Sequence, residues 1–222
     1  MKIKTLILFV CTLSSFYAIA QPTQFSMATD VTVVRSFKKD QKFWSIGQTV
    51  AGHFHFTKKD GLYLLFTYAG NGKFSNQLNA TAKDSATIPQ GVSYTNKANL
   101  SYRHISVGWR HYLKGAFNAE EDWNLYGYGG FGLMFGRVQN LHSIRIDTSN
   151  YELPVLSGEG NFKRLTFDLG LGFEVYAGGN VYFYAEVRTL IATTGYPSRY
   201  LFVNNDAPLT GSINLGARIL FD

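Results

Sequence analysis

Cysteine is nearly absent from this chain. The single one, Cys11, lies within the first twenty of 222 residues, so a disulfide framework is excluded beyond it. Long apolar runs are missing too. The stretch Leu6 to Leu13 is too short for a transmembrane helix, which needs ~20 such residues. Beyond it there is no long helical periodicity, no low-complexity tract and no linker, which leaves one domain as the simplest reading. A strong charge of one sign is also lacking. The formal net charge is +6 and the basic residues are scattered, which gives little support for a nucleic-acid partner.

The N-terminus carries an address. Lys2 and Lys4 precede the apolar core, Cys11 follows bulky Leu8-Phe9-Val10 as part of that core, and Ala18-Ile19-Ala20 provides a small-residue cleavage signature before Gln21. Residues 1–20 are expected to be a cleaved secretory signal peptide and residues 21–222 the mature domain. A secreted domain of this length without disulfides must find its stability in its own packing.

What is present in excess is aromatic residues, at 16%, and glycine, with 22. They fall into an alternating pattern. From Arg164 to Val175 the odd positions are Leu165, Phe167, Leu169, Leu171, Phe173 and Val175, while the even positions hold Arg164, Asp168 and Glu174 with Thr166 and two glycines. Successive strand side chains point to opposite faces, so one face is apolar and the other gathers the charge. Val181, Phe183, Ala185, Val187 and Ile191 oppose Tyr182, Tyr184, Glu186 and Arg188. Leu209, Ile213, Leu215, Ala217, Ile219 and Phe221 oppose Ser212, Asn214 and Arg218.

Similar segments run from Met27 to Phe37, Trp44 to Phe56, Leu62 to Tyr68, up to Trp109, and from Trp123 to Phe135. About eight strands result, joined in order. Short turns such as Lys58-Lys59-Asp60-Gly61 and Ala177-Gly178-Gly179-Asn180 alternate with longer connections, among them long loops expected over Gly70–Lys97 (with strand extensions as the alternative there), Gln139–Gly160 and Ala192–Pro208. Short turns at one end and long loops at the other are the pattern of an up-and-down barrel in an outer membrane.

The apolar face, with Trp44, Phe54, Phe66, Trp109, Phe131 and Phe183 among its members, is too bulky for an eight-stranded interior. Turned outward it meets lipid, where an Arg at the midplane would cost ~2–4 kcal/mol. Closure follows, because in lipid every backbone N–H and C=O needs an internal partner. The expected fold is therefore all-β: an eight-stranded antiparallel up-and-down transmembrane β-barrel with a filled polar interior. Phe43, Trp44, Tyr68, Tyr112, Trp123 and Tyr176, near strand ends, suit interfacial girdles.

The terminal run Asn214-Leu215-Gly216-Ala217-Arg218-Ile219-Leu220-Phe221 resembles the insertion signal that the barrel-assembly machinery recognises on the last strand of bacterial outer-membrane barrels. Asn214, Gly216, Ile219 and Phe221 carry the match, and Asp222 is one residue extra. With the signal peptide and the strand count, the mature chain is similar to the small eight-stranded barrels of the OmpA/OmpX type. That resemblance implies Sec export, residence in a Gram-negative outer membrane, contact with outer-membrane lipid, and a scaffold role without cofactor.

Arg110, Arg164, Asp168, Glu174, Glu186, Arg188 and Arg218 are the expected lumen residues. They form either a paired plug, offsetting the desolvation of each charge, or a narrow polar pore. His104-Ile105-Ser106 weakly resembles the His-x-Ser of outer-membrane lipid A deacylases, in which His104 would be the base and Ser106 the nucleophile. Val107 stands where that family has Asn, and no carboxylate is assignable to orient His104. His53 and His55 share a strand face at a spacing compatible with metal, but no third ligand is evident, so no metal site is expected. Gly127, Gly129, Gly130, Gly132 and Gly136 form no phosphate loop, since no helix follows, and are expected to relieve crowding. The leading functional expectation is a non-enzymatic scaffold whose surface loops bind a ligand the sequence does not name. A lipid-modifying hydrolase, a secreted lipocalin-like barrel with the apolar face inward, and a passive pore stand as alternatives.

Overall fold

A computed structural model describes residues 24–37, 41–119, 123–193, 199–201 and 210–221. The signal-peptide reading, Cys11, Asp222 and most of the Ala192–Pro208 connection fall outside these residues. Nine strands are present: β1 (Gln24–Ser36), β2 (Trp44–His55), β3 (Asp60–Ala82), β4 (Gly91–Lys114), β5 (Trp123–His142), β6 (Tyr151–Glu152), β7 (Gly158–Gly178), β8 (Val181–Ala192) and β9 (Thr210–Phe221). There is no α-helix among the described residues. Eight strands form a closed antiparallel ring in the order β1-β2-β3-β4-β5-β7-β8-β9, sealed where β9 pairs with β1. The remaining strand, β6, is a two-residue bridge to the far end of β3.

The ring closes because each strand satisfies its neighbours on both sides, from Phe25↔Phe221 to Ser36↔Thr210 at the seam. The shortest ring strands have 12 residues, enough to cross a hydrocarbon layer that needs ~9–11. Burial alternates along the ring strands, with a break in β3 where Ala69 and Gly70 are both buried beside a register shift. Outward positions carry Ile46, Phe66, Val107, Phe131, Leu171, Phe183 and Leu215, all exposed, with Ile46 and Phe131 at 70% and 66%. In a water-soluble protein so much exposed apolar surface would aggregate; as a continuous girdle it is the surface that lipid covers. The lipocalin-like alternative, which needs that face inside, is excluded.

The sequence reading is corrected at three places. Gly70–Lys97 is not a long loop, because β3 continues to Ala82 and β4 begins at Gly91, in register from Gly72↔Leu100 to Thr81↔Gly91. Likewise Gln139–Gly160 narrows, with β5 reaching His142 and β7 starting at Gly158. These extensions rise beyond the girdle, where the outward face meets water. Lys73, Ser75, Gln77 and Asn79 are therefore tolerated there, and the hydrophobic alternation fades although the strand continues. On the inward side, Leu78, Ala80, Tyr94 and Val155 make a small core under the connection between β5 and β7.

The third correction concerns the girdle aromatics. Trp44, Tyr68 and Trp123 do face outward. Phe43 and Tyr112 are buried inside the barrel, and Tyr176 packs against the interior cluster around Tyr112 and Tyr126. For Tyr112 and Tyr176 the strand phase outweighs the interfacial preference of an aromatic ring; Phe43, just ahead of β2, turns in against Phe74, ring centroids 6.1 Å apart.

The charge-balanced interior and the candidate site

The interior is built by the inward positions of the ring. Among the described residues the fully buried formal charges are four arginines (Arg110, Arg164, Arg188, Arg218) and four carboxylates (Asp30, Asp168, Glu174, Glu186). With neutral histidines they sum to zero. Desolvating an ion costs several kcal/mol, so a closed interior tolerates these groups only as partners.

Glu174 is the hub at the short-turn end. Its carboxylate accepts from Arg110 Nη2 at 3.0 Å, Arg218 Nε at 3.1 Å and Nη2 at 2.8 Å, Tyr112 Oη at 3.0 Å and Asn124 Nδ2 at 3.3 Å. Arg218 also donates to the Phe117 carbonyl at 2.7 Å, tying the connection between β4 and β5 into the plug. The guanidinium of Arg110 lies 3.4 Å from the Tyr126 ring centroid, and that of Arg218 4.1 Å from Tyr182. The tyrosine faces thus carry part of the cationic charge.

Glu186 anchors a second cluster, accepting from Arg188 Nη2 at 2.8 Å, Tyr128 Oη at 2.6 Å, Asn214 Nδ2 at 3.0 Å and Tyr126 Oη at 3.2 Å. Arg188 reaches on to Thr67, which continues a hydroxyl ladder through Thr49 to Thr32 and Asp30. Tyr184 donates to Asp30 at 2.9 Å. Asp30 and the inward tyrosines belong to this network; Tyr182 and Tyr184 already stood on the charged face of the alternation, whereas Asp30 was not among the expected lumen residues. The signal was present in Asp30 and Thr32 alternating with Val31 and Val33.

Arg164 is buried as well. The cavity left between the two clusters, lined by Asp30, His53, Arg110, Tyr126, Glu186 and Arg188, is about 20 Å³, room for about one water.

The remaining candidates separate. His104 Nε2 lies 3.2 Å from Asp168 Oδ2 and 2.9 Å from Thr166 Oγ1. Asp168 is thus the carboxylate near His104 that the sequence did not assign. Ser106 Oγ lies 3.3 Å from Tyr63 Oη and its hydroxyl also interacts with the Asp168 carboxylate, and His104 and Ser106 are both buried. His53 Nε2 sits 3.3 Å from Arg110 Nη1, and His55 Nε2 2.9 Å from Ser26 Oγ. A cation there would face a guanidinium. No group of three or more metal-ligating side chains occurs among the described residues.

Glycines on the inward face of β5 make room for this filling. A Cβ on Gly132 would strike His104 and Thr166, and one on Gly136 would strike the Phe162 ring. On the last strand Asn214 and Arg218 point inward, while Ile219 and Phe221 face out. Phe221 stacks on Phe25 across the seam at 5.8 Å, and Phe25 contacts Phe54 at 5.1 Å.

The apolar girdle, the closed ring and the ion-paired interior define an integral outer-membrane β-barrel of eight strands. Solved structures share this architecture. Neisserial surface protein A superposes with a TM-score of 0.53 at 11% identity, covering 89% of this chain and 97% of that one. A major outer membrane protein from Thermus thermophilus gives 0.53 at 10%, covering 90% of this chain and all of that one. The fold is that of the small outer-membrane barrels of the OmpA/OmpX type. No protein-family model and no curated protein sequence matches the chain.

Proposed function

We propose that this protein is a non-enzymatic, sealed outer-membrane scaffold, exported through a cleaved signal at residues 1–20, whose long-loop end faces outward and binds a ligand at the cell surface. The observation that carries the reading is the charge-balanced interior, in which the cavity between the two ion-paired clusters is about 20 Å³. A lumen so filled passes no solute, so function falls to the surfaces. Orientation follows the rule that short turns face the periplasm and long loops the exterior. The loop end is also the braced end, where β3 and β4 extend to 23 and 24 residues and a small apolar core supports the connection between β5 and β7. Asn214, Gly216, Ile219 and Phe221 would be read by the barrel-assembly machinery during insertion.

Purified protein in a planar bilayer tests the sealed lumen. No resolved current steps are expected, and reproducible single-channel openings would overturn it.

The pairing of His104 with Asp168 favours one second reading, a lipid-modifying hydrolase with Ser106 as nucleophile. The burial of both side chains, away from the lipid-facing surface, weighs against it. Loss of a lipid deacylation activity in Ser106→Ala would reverse that judgement.

A further inference from the structure

The outward face of β3, β4, β5 and β7 changes character abruptly at one level. Phe66, Ile105, Leu133 and Leu165 form a fully apolar cross-strand row. The next row toward the long-loop end reads Tyr68, Arg103, Phe135 and Lys163, and the one after it Ser101, Arg137 and Asn161. Two residues of strand rise ~6.8 Å along its axis, or about 5 Å in height for a tilted strand. Along each strand these residues therefore stand about 5 and 10 Å beyond its last apolar position, where the girdle gives way to the headgroup region.

Arg103, Arg137 and Lys163 surround Phe135. Arg137 is the diagonal cross-strand neighbour of both others, and such neighbours are ~7–8 Å apart. Glu159, ion-paired with Arg137, is the one carboxylate on these rows and the row above, where Lys73 adds a further cation. Neither Arg103 nor Lys163 has a carboxylate partner among the described residues, and Lys163 Nζ lies 5.9 Å from the Phe135 ring centroid. Between these side chains runs a groove of about 520 Å³ lined by Tyr68, Ser101, Arg103, Phe135, Arg137 and Lys163. Clustered exposed cations repel one another; an anion among them reverses the sign, and guanidinium forks suit phosphate.

We propose that this panel, centred on Arg103, Phe135 and Lys163, binds the phosphorylated headgroup of a glycolipid in the outer leaflet. Its acyl chains lie on the apolar row below and its phosphates between the cations. Charge complementarity and unbroken continuity with the lipid-covered girdle commit the site to a lipid rather than a soluble anion. The proposal rests on the orientation given above.

The test uses the folded full-length barrel in detergent micelles, with retained lipid read by native mass spectrometry. Diphosphoryl lipid A is expected to be retained in preference to its dephosphorylated form. The R103Q/K163Q variant is expected to lose that preference by roughly thirtyfold, at about fivefold per cation. Both side chains face outward, so heat-modifiable gel mobility should stay that of wild type; should the double variant not fold, R103Q alone carries the test with about a fivefold loss. K58Q/K59Q at the opposite end is the control and should bind as wild type. Equal retention of phosphorylated and dephosphorylated lipid by wild type, or an unchanged preference in the variant, would overturn the proposal. So would competition by the deacylated phosphosugar at the same concentration as the intact lipid, which would make the ligand soluble. Those outcomes, with the barrel folded, leave the membrane assignment standing.

Discussion

Replacing Glu174 by Gln asks whether the interior plug is dry. The carboxylate takes five donor contacts, three of them from Arg110 and Arg218. Gln keeps the volume and one acceptor but removes the charge that neutralises both guanidinium groups. Breaking a buried pair costs about 3–5 kcal/mol, because the surviving ion stays desolvated. Here two cations survive, and a residual cavity of about 20 Å³ is too small to hydrate them, so the loss is expected near the top of that range. The cost is large against a typical stability of about 5–15 kcal/mol. Urea unfolding of the barrel in lipid vesicles, followed by tryptophan fluorescence and by heat-modifiable mobility, measures it. In the double variant E174Q/R218Q one of the stranded cations is gone, and its destabilisation should fall short of the sum of the singles by about 1–3 kcal/mol. A loss below about 1 kcal/mol in Glu174→Gln would mean that water reaches the hub, and the sealed-lumen reasoning would be wrong.

Three further outcomes follow from the same geometry. Phe131→Arg places a charge on the most exposed ring of β5 and should destabilise the barrel in bilayers by ~2–4 kcal/mol, measured by the same urea titration; no change would place Phe131 away from hydrocarbon. Phe221→Ala removes the ring that stacks on Phe25 across the seam, costing about 0.5–1.5 kcal/mol, and should lower the folded fraction recovered from membranes; wild-type recovery would remove Phe221 from the insertion signal. In the connection between β5 and β7, hydrogen bonds from the Ser149 hydroxyl and N–H hold the Asp147 carboxyl below its ordinary value of 3.8. A lowered acid contributes fully above its unfolded value and loses that contribution as pH falls through the folded one. Amide exchange at Ser149 and Asn150 should accordingly stay constant from pH 7 down to about 4, after correction for intrinsic rates, and increase only below it.

The membrane-crossing part of this fold was legible because two solvents write on it at once. Lipid demands Leu133, Phe167 and Phe183 on one face, and the closed lumen demands Asp168, Glu186 and Arg218 on the other, so a period of two survives in the sequence. Above the girdle only water faces outward, and Lys73, Ser75, Gln77 and Asn79 alternate with Phe74, Asn76, Leu78 and Ala80 without a clean contrast. That is why the extended β3–β4 hairpin resembled a loop. Interior partners were hidden for another reason. His104 meets Asp168 from a strand two places away in the ring, across Gly132, and Arg110 meets Glu174 64 residues on. Such meetings depend on the stagger of the closed sheet, which alternation alone does not encode. Tyr112 shows the two kinds of signal in conflict: its place near a strand end pointed to the interface, while its phase with Arg110 pointed inward, and the phase prevailed.

Nitroxide labels placed singly at Phe183 and Leu171 on the outer surface, with the protein in lipid vesicles, probe the inside-out arrangement most directly. Collision with dissolved oxygen should dominate at both positions and collision with a water-soluble nickel chelate should be weak, as for a probe among acyl chains. Strong nickel accessibility at both sites would contradict the account.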